Sequence, residues 1–288
     1  MKRITCRSRE DAAAVFGSAA SAERYAFERE LAVRHRGDRR FTIPGTCLVD
    51  DEAVEFEVDR QWGAQQLEDG TWLPNWRERL VCPRCGLINR QRAIASAVIE
   101  HMAAGDGGGR SLYLMEQVTA LYRVMRDRLP ASTCYGSEFL GPQYRSGEIV
   151  GAIRHEDAEC LSFASASLDG ILSSDVFEHV PDPSQAFREA ARVLKPGGRM
   201  FFTVPFYWDR DANTRRAEQV NGQVRHLMPP EYHGNPVSTD GSLVFTDYGW
   251  ELLAQVTAAG FSDCVAVLYW SLEYGHLGPN NLYFVATR

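Results

Sequence analysis

Residues 155–206 read HEDAECLSFASASLDGILSSDVFEHVPDPSQAFREAARVLKPGGRMFFTVPF, and this stretch decides the fold. Its centre, LDGILSSDVF (168–177), is a short apolar run that closes on acid, the pattern of a buried strand. PSQAFREAARVLK (183–195) follows with amphipathic helical spacing, and Pro196, Gly197 and Gly198 stop it. RMFFTVPF (199–206) is a second apolar strand. A strand, a helix and a strand in succession argue for parallel pairing, because the helix carries the chain back over the sheet.

Working outward, LYLM (112–115) reads as a strand followed by a helical stretch to Leu129, and CYGSEF (134–139) reads as another strand. Downstream, 247–261 has helical spacing. CVAVLYW (264–270) and NLYFVATR (281–288) are two apolar strands with no helix between them, which predicts an antiparallel closing pair. Upstream, GDGGGR (105–110) is the clearest linker. Before it, 8–35 reads as helical with Ser8 and Ser21 as N-caps, 41–80 as short strands, and 87–104 as a helix. We therefore expect two domains, 1–108 and 109–288. The fold class is α/β, with a small α+β module in front.

The chain has 288 residues, 44% hydrophobic and 24% charged, which excludes a disordered tail, a collagen-like fibre and a disulfide mini-scaffold. A net charge of −7 argues against nucleic acid as a general partner. A local basic cluster runs against that trend: Arg77, Arg79, Arg84, Arg90 and Arg92. It is either an anion or RNA contact or a solvated helix face. No apolar run approaches the ~18–20 residues of a membrane span, and no apolar segment follows the basic N-terminus, so we expect a cytoplasmic protein with no membrane partner.

The seven cysteines do not form an even disulfide framework. Cys82-Pro-Arg-Cys85-Gly has the shape of a metal knuckle, two thiolates that can grip one Zn²⁺. Cys47 lies upstream, and its partner at the same spacing is Asp50, with Asp51 as the near alternative. A carboxylate ligates zinc, so Cys47, Asp50, Cys82 and Cys85 make a Cys₃Asp set for a structural zinc. The competing readings are reduced thiols with no metal, and a redox CxxC.

The stretch 155–206 resembles the class I S-adenosylmethionine (SAM)-dependent methyltransferases, in particular the broad type 11 group, and the likeness extends over roughly 110–288. It rests on Asp157-Ala158 ahead of LSF, on LDGILSSDV, on EHVPDP and on ARVLKPGG leading into a strand. It implies a Rossmann-like, seven-stranded fold that binds SAM at the carboxyl ends of its strands. It further implies that Asp157 accepts the adenine amino group, that the Ala158 amide donates to a ring nitrogen, and that Glu138 grips the ribose hydroxyls. Gly136 and Phe139, which flank Glu138, and Asp175, which ends the next strand, complete the expected cofactor-binding set. The sequence departs from the family in its first motif. Where a glycine-rich loop is usual, LYLM is followed by Glu116-Gln117-Val118-Thr119-Ala120. We assign Glu116 to the cofactor ammonium, with Gln117 and Thr119 supplying hydrogen bonds.

Residues 210–245 are long, polar and loop-like, and contain His226, Glu231, Tyr232 and His233. Such loops carry function, and the resemblance implies that this one caps the substrate pocket. We nominate His233 as general base, with Tyr232 and His179 behind it. The bland alternatives are exposed histidines and a His179 that merely bonds backbone. The expected function is methyl transfer from SAM to a small or sugar-like metabolite in a biosynthetic pathway. Three other readings compete: SAM cyclisation or aminocarboxypropyl transfer, which releases methylthioadenosine; an RNA methyltransferase whose zinc module is the reader; and a binding module with a decayed cofactor site.

Overall fold

The apolar runs assemble as one seven-stranded sheet. In chain order its strands are β1 (Lys2–Cys6), β2 (Ser111–Leu114), β3 (Thr133–Gly136), β4 (Leu168–Ser174), β5 (Leu194–Thr203), β6 (Asp263–Trp270) and β7 (Leu282–Thr287), in the spatial order 1-6-7-5-4-2-3. The computed structural model describes residues 1–61, 63–104 and 109–288, so Trp62 and most of the glycine linker (105–108) lie outside the described residues. The chain divides into two units, Met1–Ala97 with Val267–Tyr283 and Val98–Ala266 with Phe284–Arg288.

In the second unit, β3, β2, β4 and β5 are mutually parallel, with Leu114 opposite Gly136, Ile171 opposite Tyr113 and Leu172 opposite Phe201. The chain goes out from β2 to β3 and returns to β4 on the other side of β2. That reversal is a topological switch point, where open α/β sheets bind ligands at the carboxyl edge. Strand β7 runs antiparallel to β5 (Met200 opposite Ala286), and it lies beside β6, its expected partner. Leu112, Leu114, Ile171, Leu172, Met200, Phe202 and Phe284 are all buried, as central strands covered on both faces require.

Helix α5 (Pro183–Val193) shows how local sequence sets an element. Pro183 sits in the first turn, Asp182 accepts the Gln185 N–H at 3.0 Å, and Ala186, Phe187, Ala190 and Ala191 are buried. The helix stops at Val193, before the Pro-Gly-Gly run. Residues 195–198 instead make a bulge in β5, between the pairs Leu168–Leu194 and Gly170–Arg199.

The segment 210–245, expected as a loop, is built largely of hairpins. Ala217–Val220 pairs with Gln223–His226, and Tyr232–Asn235 with Ser238–Leu243. Asn221 and Gly222 turn the first hairpin with φ of 51° and 78°, the type I′ geometry that an Asn-Gly dipeptide favours. Burial alternation is absent because most of these residues face solvent, and that hid the strands.

In the first unit, α1 (Arg9–Phe16) is capped by Ser8, whose Oγ accepts the Asp11 N–H. Helix α2 (Ala19–Arg34) is capped by Ser18; the Ser21 hydroxyl, expected in that role, donates to the Val15 carbonyl. Arg40–Cys47 and Glu52–Asp59 form a hairpin eight pairs long. Helix α3 (Asn89–Ala103) contributes Arg92, which is fully buried. The Arg92 guanidinium lies 4.0 Å from the Phe56 ring centroid and donates to the carbonyls of Tyr274, Leu80 and Gly275.

Candidate functional site

Three adjacent parallel strands each end on an acid. Glu116 lies just past β2, Glu138 just past β3, and Asp175 directly after β4. Glu116 and Glu138 are buried, each 8% exposed. The Glu138 Oε1 accepts the N–H groups of Gln117 (2.7 Å) and Val118 (3.0 Å). This explains how a loop without glycine is held after the first strand: its amides converge on the carboxylate of the neighbouring strand. Among the described residues the other oxygen, Oε2, accepts no hydrogen bond, which leaves it for a ligand.

The remaining residues named for the cofactor fall around this edge. Gln117 clamps residues 152–154, donating to the Ala152 carbonyl at 2.8 Å and accepting the Arg154 N–H at 2.9 Å. Thr119 is the N-cap of α4 (Ala120–Arg128). Gly136 faces the loop so closely that a Cβ there would lie 2.5 Å from the Tyr122 ring and 2.8 Å from the Glu116 carbonyl oxygen. The close approach usually permitted by loop glycines is thus supplied by a glycine in the next strand. Phe139 is exposed. Asp157 accepts the Glu159 N–H at 2.9 Å, with Ala158 half-buried beside it. Asp175 has a φ of 54°, a strained conformation for a non-glycine residue at the end of β4. These groups fit SAM: carboxylates accept from its ammonium and its ribose hydroxyls and balance its sulfonium charge.

Beyond Asp175 the turn brings in a group that the sequence did not single out. Glu178 is fully buried, and neither of its carboxylate oxygens has a hydrogen-bond partner. His179 Nε2 lies 3.6 Å and His233 Nδ1 3.7 Å from Glu178 Oε1. The two rings meet edge-on at 5.0 Å. His179 Nδ1 donates to the Leu243 carbonyl at 2.9 Å. His233 Nε2 stands 3.5 Å from Glu231 Oε1. Burial pushes the Glu178 carboxyl up to about 7, with Asp175 adding to the rise and His233 opposing it. The Glu178 carboxylate raises His233, and burial lowers His179. The structure therefore joins His179 and His233 to Glu178. Tyr232 and His226 are exposed on their hairpins. The Glu178-His179 dipeptide of EHVPDP was the available signal.

A separate cluster lies in the first unit. Cys47, Asp50, Cys82 and Cys85 place one donor atom each within 4.8 Å of the others. Cys47 Sγ is 3.9 Å from Cys85 Sγ, and Cys82 Sγ is 3.1 Å from Asp50 Oδ2. Zn–S bonds of 2.3 Å at tetrahedral angles would set sulfurs about 3.8 Å apart. The two knuckles share one backbone design. The Asp51 N–H donates to the Cys47 carbonyl and the Gly86 N–H to the Cys82 carbonyl, and both donors have positive φ, 55° and 74°. Asp50 thus occupies the position that Cys85 holds in the other knuckle, which selects it over Asp51. All seven cysteines are free.

The basic cluster near this knuckle is largely neutralised. Arg77 and Arg90 pair with Glu78, Arg79 pairs with Asp59, and Arg92 is in the core. Arg84 is 58% exposed, with Glu52 at 3.9 Å. No helix among the described residues is long and apolar enough to cross a membrane.

Comparison with known proteins agrees with this geometry. Residues 104–202 match the type 11 family described as a methyltransferase domain. Arsenite methyltransferase of Aquipseudomonas alcaligenes is 28% identical over 148 residues, covering 47% of this chain and 40% of that protein. 27-O-demethylrifamycin SV methyltransferase of Amycolatopsis mediterranei is 30% identical over 113 residues, covering 35% of this chain and 42% of that protein. The chain thus spans less than half the length of these two curated relatives. Among solved structures, the CurJ carbon methyltransferase aligns with a TM-score of 0.44 at 10% identity, covering 70% of this chain and 55% of that one. The parallel sheet with its switch point and its acidic carboxyl edge accord with the match of residues 104–202 to the methyltransferase-domain family.

Proposed function

We propose that the protein transfers the methyl group of SAM to a small-molecule acceptor. The observation that carries this is the row of three acids, Asp175, Glu116 and Glu138, at the carboxyl ends of β4, β2 and β3 around the switch point. SAM, when bound, brings an activated methyl on a sulfonium, so the chain's task is to align the acceptor and exclude water. Glu138 holds the ribose through its open oxygen, Asp157 and Ala158 take the adenine, and Glu116 takes the ammonium. Gly136 lets the loop close against β3, while Gln117 and Thr119 keep that loop in shape. On the acceptor side we place His233 and His179 with Glu178, and Tyr232 at the rim. The two relatives named for arsenite and for a rifamycin support an acceptor that is a small molecule.

We also propose that residues 1–108 form a module stapled by a structural zinc on Cys47, Asp50, Cys82 and Cys85. Residues 109–288 then form the transferase domain. Titration calorimetry with SAM tests the cofactor reading. We expect one equivalent bound, and at least a tenfold weaker affinity for Glu138→Ala, since a charged hydrogen bond is worth about 1.5–3 kcal/mol. Absence of SAM binding in the intact chain overturns it. The released product separates the chemistries: S-adenosylhomocysteine is expected, and methylthioadenosine would replace methyl transfer with use of the other sulfonium carbons.

A further inference from the structure

We infer that Glu178, His179 and His233 form a binding site for a divalent first-row transition cation, which faces the acceptor. The starting point is an electrostatic mismatch. The Leu243 carbonyl can only accept, so His179 carries its proton on Nδ1 and, when neutral, turns a lone pair on Nε2 toward Glu178. Two acceptors, Nε2 and Oε1, then face each other at 3.6 Å. His233 Nδ1 approaches the same oxygen at 3.7 Å. All three donors lie within 4.8 Å of one another. Each separation is too long for a hydrogen bond, and both Glu178 oxygens are buried without one. A buried carboxylate so placed is held ionised only by a positive charge beside it, and a cation bridging it to the two imidazoles supplies one.

The distances suit one. A metal about 2.0–2.2 Å from each donor would see the 3.6 and 3.7 Å pairs at roughly 110–135°. Metal-bound histidines characteristically hold their second ring nitrogen on a carbonyl or carboxylate, which fixes the ring. Both histidines have such a partner: the Leu243 carbonyl for His179, and Glu231 at 3.5 Å for His233. Two imidazoles with one carboxylate select zinc, iron or manganese-type cations over magnesium or calcium, and three protein ligands leave positions open for a substrate.

The cation site stands on this cluster alone; its use on the acceptor rests on the methyl-transfer reading. In that use the acceptor is a hydroxyl-bearing small molecule whose oxygen binds the cation. Its O–H proton is lost to solvent, its lone pair forms the new O–CH₃ bond, and the C–S electron pair returns to sulfur as S-adenosylhomocysteine leaves. Products are the methyl ether, S-adenosylhomocysteine and one proton. His233 then serves as a ligand and no longer as a free base.

The test is cobalt loading of the full chain after chelation and gel filtration, read by elemental analysis, with SAM calorimetry on the same samples. Wild type is expected to retain one more equivalent of cobalt than either Glu178→Gln or His233→Ala. Whatever the cysteine cluster takes is common to all three. The lost equivalent should lack sulfur-to-cobalt charge-transfer absorption. His233 sits on a half-exposed hairpin, so His233→Ala keeps the test valid if the buried Glu178→Gln disturbs folding. Equal cobalt in all three proteins, with SAM bound, overturns the site and leaves the methyl-transfer reading intact. A cobalt difference without SAM binding does the reverse.

Discussion

The two clusters differ in how their donors are collected. The cysteine cluster is drawn from two knuckles of matching backbone design, and three of its four residues are buried. The Glu178 cluster takes two neighbours from a turn after β4 and one residue from a remote hairpin, and two of its three residues are half-exposed. A closed four-donor set stabilises a fold, whereas an open three-donor set leaves room for a substrate. The difference teaches that donor spacing reports on structural sites and says little about sites assembled between distant segments.

The largest effect should come from the closed cluster. Cys82→Ala, or chelation of the wild type, is expected to unfold the N-terminal hairpin region, because structural zinc contributes about 10–16 kcal/mol in small modules. Circular dichroism melts with and without chelator would show it, and a melting curve indifferent to both would remove the zinc. Next is Arg92→Ala, also in the first unit. It strands three carbonyls and empties the face of Phe56, and a loss of about 3–5 kcal/mol is expected in denaturant titration. A loss below about 1 kcal/mol would show that the buried guanidinium is dispensable there.

The open cluster should show its character in pH. In the cation-free protein the Glu178 carboxyl is raised to about 7 from an ordinary value near 4.5. The fold therefore favours the protonated acid. Its contribution is complete below about pH 4.5 and is lost as pH rises through 7, on the order of 3 kcal/mol in all. Glu178→Gln should flatten that slope, and so should a bound cation, which holds the carboxylate ionised in both limits. Stability that rises over the same window in wild type and variant alike would contradict this. The smallest effect belongs to the turn of the neighbouring hairpin. Gly222→Ala, at a φ of 78°, should cost about 1 kcal/mol in a thermal melt and leave SAM affinity unchanged. A change in SAM affinity would tie that hairpin to the cofactor.

Much of the sheet was legible because it is built from local signals. The runs at 112–115, 168–177 and 199–206 are apolar on both faces, and the helix at 183–193 has its cap, its proline and its apolar stripe in order. The hairpins at 217–226 and 232–243 were not legible from alternation, since both faces meet water, although Asn221-Gly222 marked the first turn. The acids at the strand ends could be named in advance, as could the cysteine set, because each lies at a fixed distance from a recognisable element. Glu178 was passed over in favour of its neighbour His179, since burial of a carboxylate is not written in its local sequence.

By itself, the sequence determined the strand–helix alternation and the cysteine knuckles through periodicity and short-range spacing, and its resemblance to the methyltransferase family implied the switch-point sheet and the acids at its carboxyl edge. Only the tertiary structure decided that Lys2–Cys6 supplies the seventh strand, that Glu138 anchors the glycine-free loop, and that Glu178 meets His233. Those outcomes depend on pairings between segments far apart in the chain. Their energies come from desolvation and from hydrogen bonds made only when the segments meet, and no local pattern encodes such a meeting.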